Sequence, residues 1–271
     1  MPWSERQAAM LQEMGIRCWF PAPPPQGEAD RSPLPPAERG VGTAPAALRS
    51  GEAAAPVEVA LGDVATLGWD GLRSAVAACT ACGLCKGRRQ TVFGVGHPRA
   101  HWMVVGEAPG EQEDIQGEPF VGKSGQLLDN MLRAIGLGRA EAQGLDGNAD
   151  TELAAARQVY IANTIKCRPP GNRNPEPDEL ARCEPFLIRQ LQLVQPKIIL
   201  AMGRFAVQSL LRSSDPIGRL RGRVHQYQGV PLIVTYHPAY LLRNPEEKAK
   251  AWDDLCLALA TATATATATA G

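Results

Sequence analysis

The sequence predicts an α/β fold with a mostly parallel sheet covered on both faces, and two observations carry that reading. Four short apolar stretches read as buried strands: Trp102-Met103-Val104-Val105, Val159-Tyr160-Ile161-Ala162, Ile198-Ile199-Leu200-Ala201 and Leu232-Ile233-Val234-Thr235. Each is followed by a turn and a helical pattern, at Gly125 to Ile135, Pro177 to Leu193, Arg204 to Leu211 and Pro245 to Leu259. Pro177 and Pro245 stand where the first turn of a helix tolerates a residue without an N–H. Parallel neighbours need crossover connections, and intervening helices supply them.

The flanks differ in composition. Residues 1 to 20 form a candidate amphipathic helix with Met10, Leu11, Met14 and Ile16 near one face, and Pro21-Ala22-Pro23-Pro24-Pro25 stops it. From there to about Pro56 the chain is rich in Pro, Ala, Gly and charge, a linker composition that buries too little apolar surface to offset its conformational entropy. Residues 1–70 are therefore read as an extension and a candidate protein-docking segment, 71–259 as the main domain, and 260–271, an alternating Thr-Ala repeat, as a low-complexity tail that either frays or prolongs the last helix. The opening Met1-Pro2-Trp3-Ser4-Glu5-Arg6 lacks the layout of a secretory signal, and no apolar run approaches the roughly 20 residues of a membrane helix. A cytoplasmic, monomeric protein without membrane contact is expected.

Net charge is zero, but residues 79 to 257 hold 22 Lys and Arg against 19 Asp and Glu, while residues 1 to 78 hold 6 against 9. An excess of this size is too weak to argue for nucleic-acid binding by bulk charge.

In open α/β sheets the ligand crevice lies beyond the carboxyl ends of the strands. Three unusual motifs fall there. Gly106-Glu107-Ala108-Pro109-Gly110-Glu111-Gln112-Glu113-Asp114 follows the first strand, Asn163 ends the second, and His237-Pro238 follows the fourth. The first is neither a dinucleotide loop nor a phosphate loop, since it lacks a Gly-Lys-Ser/Thr ending and carries four carboxylates that would repel phosphate. Its small residues let backbone N–H groups approach a ligand, and Glu107 or Glu113 can orient water; the alternative is a plain turn with solvated acids. Phe120 is either core or a stacking platform. Asn163 either satisfies turn backbone or offers one donor and one acceptor to the edge of a flat polar ligand. His237 is a turn residue or a catalyst at the strand mouth. Arg219-Leu220-Arg221-Gly222-Arg223 is a solvated cationic face or a set of phosphate contacts.

Seven cysteines are an odd number for a disulfide framework, and Cys79, Cys82 and Cys85 fall in one short stretch. Cys167 after the second strand and Cys183 in the next helix can complete a four-thiolate shell for zinc or an iron–sulfur cluster. The triple lacks the following Cys-Pro of a bacterial ferredoxin run, which disfavours an electron carrier. Cys18 and Cys256 are read as small packed hydrophobes.

From about Cys79 to Asp254 the chain resembles the family 4 uracil-DNA glycosylases, the iron–sulfur branch of that superfamily. The resemblance rests on Cys79-x-x-Cys82, Gly106-Glu107-Ala108-Pro109-Gly110, Pro119-Phe120-Val121-Gly122, Asn163-Thr164-Ile165-Lys166-Cys167-Arg168-Pro169-Pro170, Cys183 and His237-Pro238-Ala239-Tyr240-Leu241-Leu242-Arg243. It implies a three-layer α/β/α sandwich with a central four-stranded parallel sheet, and a [4Fe–4S] cluster held by Cys79, Cys82, Cys167 and Cys183. It further implies an enzyme of base excision repair acting on uracil-containing DNA, single- or double-stranded, which hydrolyses the N-glycosidic bond and leaves an abasic site. Phe120 would stack on the flipped uracil, Asn163 read its edge, and His237 support the departing base. Ala108 occupies a position that varies between Gly and Ala in the family.

Glu107 or Glu113 would hold the attacking water, or Glu113 would crowd uracil C5 with support from Asn172. Leu241, Leu242 and Arg243 would form a wedge and phosphate clamp. The covalent uracil-DNA-binding relatives carry a nucleophilic His in an inserted loop, whereas Arg168 to Pro175 here is short and has none. A zinc-dependent nucleic-acid-binding module and a polymerase-associated scaffold are the rival readings; neither gives Phe120, Asn163 and His237 a joint purpose.

Overall fold

The computed structural model describes residues 63–139 and 152–268. Both stretches belong to one compact unit, 54–271. The expected N-terminal helix, the Pro-rich linker and Cys18 lie outside the described residues.

Among the described residues seven strands form one sheet: β1 (Val95–Gly96), β2 (Trp102–Gly106), β3 (Gly138–Arg139), β4 (Gln158–Asn163), β5 (Ile198–Met202), β6 (Val224–Tyr227) and β7 (Val230–Thr235). The helices are α1 (Trp69–Ala78), α2 (Glu111–Gln116), α3 (Gly122–Ala134), α4 (Glu152–Arg157), α5 (Pro177–Val194), α6 (Arg204–Leu211), α7 (Ile217–Leu220), α8 (Pro238–Arg243) and α9 (Lys248–Ala268). At the centre, β4, β2, β5 and β7 run parallel in that order, the four strands expected from the apolar stretches. Three short strands enlarge the sheet beyond that expectation. β1 (antiparallel) and β3 (parallel) share the outer edge of β4, and β6 pairs antiparallel with β7 at the opposite edge. Two residues are too few for any period to register in β1 and β3. β6 is an edge strand with Val224 exposed and Tyr227 buried.

Side chains alternate across the sheet, so each strand feeds two cores. Met103, Val105, Tyr160, Ile199 and Val234 point to one face and pack on Leu187 and Leu191 of α5 and Val207 of α6. Val104, Ile161, Leu200 and Ile233 point to the other and meet Leu128 and Leu132 of α3 and Leu255 of α9. These are the two outer layers of the sandwich. A strand buried on both faces has no polar side to display, which is why each reads as a continuous apolar run.

The compact body passes both limits expected for the main domain. Val64 is buried with Leu72, Val76, Phe93 and Phe186, and the Trp69 ring lies 6.2 Å from Phe93 and 5.3 Å from Tyr160. The boundary expected after residue 70 thus falls inside the first turn of α1. At the other end α9 continues through the Thr-Ala repeat to Ala268. Alanine is the best helix former, and the hydroxyls of Thr261, Thr263 and Thr265 donate to carbonyls four residues back. The helix expected from Pro245 begins as a 3-10 turn, Pro245–Glu247, before α9 proper. Cys256, expected to pack, is exposed on α9.

Leu200 has no exposed surface and sits on β5 between β2 and β7. Leu200→Ala should destabilise the fold by about 3 kcal/mol, through lost transfer energy and the cavity left behind. Chemical denaturation checks this, and a loss below about 1 kcal/mol would mean that the site collapses around the smaller side chain.

Candidate active site

Strand register brings the three motifs together. Gly106 is paired with Asn163, and Met202 with Thr235, so the residues that follow β2, β4, β5 and β7 emerge at one end of the sheet. There they line an open cleft of about 740 Å³. All eight residues singled out for catalysis or substrate binding border it: Glu107, Ala108, Glu113, Phe120, Asn163, Asn172, His237 and Arg243.

Gly106 is the hinge of this arrangement. A Cβ there would stand 2.5 Å from Asn163 Oδ1 and 2.7 Å from Phe120 Cζ, so only glycine leaves room for both side chains over the end of β2. The next peptide is pinned to the β4 exit, where Thr164 Oγ1 and Ile165 N donate to the Glu107 carbonyl at 2.6 and 3.3 Å. Asn163 is buried. Its carbonyl accepts a 2.8 Å bond from Lys166 Nζ, which also donates to Gln190 Oε1 at 2.6 Å. Gln190 in turn donates to the Phe93 carbonyl and to the Tyr160 hydroxyl, at 2.8 and 3.0 Å. The buried ammonium is thereby matched to two acceptors, and burial still lowers its pKa to about 8, opposed by the neighbouring Cys183 and Cys167.

The two candidate acids differ in what already engages them. Glu113 Oε2 accepts from Gly110 N at 3.1 Å and Oε1 from Val121 N at 3.2 Å, so this carboxylate ties the start of α2 to the Phe120 turn. The Glu107 carboxylate has no hydrogen-bond donor among the described residues. Burial pushes its pKa up to about 7, against the pull of the Arg204 guanidinium.

His237 caps α8, its Nδ1 accepting from Ala239 N at 3.1 Å. Burial, with Arg243 adding repulsion, lowers its pKa to about 4, so the ring is neutral at ordinary pH. With Nδ1 an acceptor, the single proton of the neutral ring sits on Nε2. The ring stacks on Phe120 with centroids 5.2 Å apart. Phe120, Asn172 and three other non-glycine residues have positive φ, Phe120 at 54°. A bulky residue in that region is strained by about 1 kcal/mol or more and persists only where its surroundings hold it.

Asn172 Oδ1 accepts from Arg168 Nε at 2.7 Å, and that Arg168 faces Glu111 at 3.8 Å. The expected wedge divides: α8 turns Leu241 into the core and leaves Leu242 exposed, because successive helical residues are about 100° apart. Of the three closely spaced cations, Arg221 forms a two-point pair with the fully buried Asp254 of α9 at 3.0 and 3.1 Å, and Arg223 donates to the Arg219 carbonyl. Arg221 is therefore a structural cation, neither a solvated one nor a phosphate contact.

Sequence reasoning overlooked Arg204 and Phe205, which enter the cleft from the turn after β5, and Arg173, held by Glu179 at 2.6 and 2.9 Å. The signal for Arg204 was present, since the third strand's carboxyl end had to open on the same crevice as the others. Nothing in the local pattern marks Arg173.

The expected ligands gather on the other side of the β4 exit. Cys79 caps α1, Cys82 begins the 3-10 turn Gly83–Lys86, Cys167 follows β4 and Cys183 lies on α5; all four, with Cys85, line one cavity. Arg88 Nη1 donates to Cys167 Sγ at 3.1 Å and Lys166 N to Cys183 Sγ at 3.3 Å. Burial pushes the Cys183 thiol up to about 12 and raises Cys82 and Cys167, so without a bound cation these groups hold their protons. Among the described residues no three His, Cys, Asp or Glu side chains close on a single metal ion. The donor chemistry, all soft sulfur with N–H groups aimed at it, fits a thiolate-held iron–sulfur centre.

The chain matches the family model of the uracil DNA glycosylase superfamily over residues 93–256. Over 179 residues the chain is 40% identical to the type-4 uracil-DNA glycosylase of Archaeoglobus fulgidus, spanning 63% of this chain and 81% of that one. It is 39% identical over 171 residues to the type-4 enzyme of Thermotoga maritima (62% and 80% of the two chains), and 36% over 196 residues to that of Pyrobaculum aerophilum (69% and 90%). The chain belongs to the type-4 uracil-DNA glycosylases.

The raised pKa of Glu107 links stability to pH. Its folded form holds the proton more tightly than the unfolded chain does, so stability falls as pH rises from about 4.5 to about 7 and is level beyond. Glu107→Gln removes that penalty. The variant should match the wild type at pH 4.5 and exceed it at pH 8 by about 1 kcal/mol, well below the full shift because the carboxylate keeps some solvent. Denaturant melts at both values check this, and a gain independent of pH would refute it.

Proposed function

We propose that this protein removes uracil from DNA by hydrolysing the N-glycosidic bond of deoxyuridine, releasing free uracil and leaving an abasic site. The observation that carries the proposal is a neutral, half-buried His237 that lines the cleft with Asn163 and Phe120 and whose Nδ1 is taken by Ala239 N, so that its one proton is on Nε2. A base inside a duplex cannot be reached, so the uridine must be extruded, at a cost of a few kcal/mol. Phe120 stacks on the extruded base, and the Asn163 amide reads its N3–H and O4. Ala108 keeps the adjacent wall small, and Asn172 borders the same pocket. As the bond breaks, negative charge grows on uracil O2 and positive charge on the sugar. The Nε2–H of His237 stabilises the first; a neutral donor serves because nothing need be protonated.

Glu107 orients the attacking water. Its carboxylate is the unengaged one, whereas Glu113 is held by two backbone N–H groups and braces the loops around the base. Leu242 fills the gap left in the stack, and Arg243, with Arg204 across the cleft, contacts phosphate. Cys79, Cys82, Cys167 and Cys183 would hold a [4Fe–4S] cluster, which would tie the segment after α1 to the crossover between β4 and α5. Among the described residues no helix is long and apolar enough to cross a membrane. The reading is of a monomer working on single- or double-stranded DNA in the cytoplasm, with the N-terminal extension that precedes the packed Val64 as the segment that engages a protein partner.

Single-turnover cleavage of a labelled uracil-containing oligonucleotide, with thymine and hypoxanthine controls, tests the proposal. Uracil-dependent abasic sites are expected, and their absence from iron-loaded protein would overturn it. His237→Ala should slow that step by about 10²–10³-fold with DNA affinity nearly unchanged; equal losses in both would count against transition-state stabilisation. The wild-type rate should rise with pH through about 7, where Glu107 ionises, and then level off, while His237, at about 4, adds no limb in that range. Glu107→Gln should be slow and flat with pH. Cys183→Ala should lose bound iron and visible absorbance, and full iron content would remove Cys183 from the ligand set.

A further inference from the structure

We propose that Arg139 is a positioning residue for uracil excision, acting through Phe120; this rests on the reading of Phe120 as the platform for the flipped base. Arg139 is outside the cleft and outside every motif singled out in the sequence. Its guanidinium nonetheless grips the turn that presents Phe120. Nη1 donates to the Pro119 carbonyl at 2.9 Å and Nη2 to the Phe120 carbonyl at 3.1 Å. The remaining edge of the fork is oriented by Asp129 on α3, with Nε and Nη2 each 3.1 Å from Oδ1.

The turn needs such a grip. Phe120 sits at φ 54°, a region in which a large side chain is rare, and the following Gly122 is also left-handed at 75°. α3 passes so close beneath that a Cβ on Gly125 would stand 1.7 Å from the Phe120 carbonyl oxygen. That carbonyl therefore faces a crowded wall, and Arg139 is the donor that satisfies it. At the other end of the same peptide group, Val121 N is held by Glu113. One cation and one anion thus grip the Phe120–Val121 peptide from both ends, and Arg139 also holds the peptide before it, leaving the ring of Phe120 against Gly106 and His237.

Arg139 is itself placed by backbone pairing, β3 meeting β4 at Arg139 and Val159, and its side chain is only 18% exposed. A lysine there carries the charge but cannot reach two carbonyls and Asp129 in one plane, because its ammonium is a point donor and not a planar fork.

The experiment is a double-mutant cycle on the full chain, read by single-turnover uracil excision, by affinity for abasic product DNA and by thermal melting. Arg139→Ala should slow excision about 30-fold while product affinity stays within about twofold, and Arg139→Lys should fall between it and the wild type. In a Phe120→Leu background the same change at Arg139 should matter less than about threefold, because its effect passes through the aromatic ring. A wild-type rate in Arg139→Ala would overturn the proposal, as would a loss equally large in the Phe120→Leu background, which would mark Arg139 as a general prop. If Arg139→Ala does not fold, Arg139→Lys carries the same cycle with the same two outcomes. A wild-type protein that releases no uracil would instead sink the reading of the site itself, which the comparison between variants keeps separate.

Discussion

Gly106 lies opposite Asn163, and the chemistry of this protein depends on that one register. Slipping β2 against β4 by a single residue would turn every core side chain to the wrong face, so hydrophobic burial on two sides locks the alignment. The same alignment sets the height at which each strand ends. Because the four central strands are parallel, their ends are all carboxyl ends, and four loops far apart in sequence meet along one edge of the sheet. The missing side chain of Gly106 then leaves room for Asn163 and Phe120 to close over the end of β2 together.

Around that edge, charge is used mainly to hold backbone. Glu113 accepts from two peptide N–H groups, Lys166 donates to a peptide carbonyl, Asp114 accepts from Arg89 N at 3.0 and 3.2 Å, and Arg139 donates to two carbonyls. Loops at a strand mouth lack the ladder bonds of the sheet, so their polar groups must find partners elsewhere. Charged side chains make the stronger bonds. Among the described cleft residues, the carboxylate of Glu107, Nε2 of His237 and the guanidinium groups of Arg204 and Arg243 are not tied in this way, which leaves them to the proposed chemistry. The perturbed groups Glu107 and His237 are moved in the direction that burial dictates for an acid and for a base.

The cysteine cavity and the cleft are two outlets of one crossover. Asn163 and Cys167 stand four residues apart after β4, and Lys166 between them reaches back to the Asn163 carbonyl while its own N–H meets Cys183. Whatever fixes Cys167 and Cys183 therefore also bears on Asn163, the residue proposed to read the base edge.

By itself the sequence determined the parallel α/β sandwich, the four central strands and three of the four loops that open on the cleft. Apolar runs bounded by turn residues need no long-range information, and glycine-rich or His-Pro stretches at strand ends are visible as such. It also carried the family resemblance through Cys79-x-x-Cys82, Gly106 to Gly110 and His237 to Arg243. Tertiary structure alone decided which acid is engaged and which is not, since Glu107 and Glu113 belong to one short motif and differ only in the N–H groups that fold onto Glu113. It alone separated Leu241 from Leu242 and turned Arg221 onto Asp254. It placed Arg204 at the rim and gave Arg139, on a two-residue strand, a hold on Phe120. The reason is the same in each case: a side chain's role is set by what lies within about 3 Å of its polar atoms, and those neighbours come from segments that no local pattern connects.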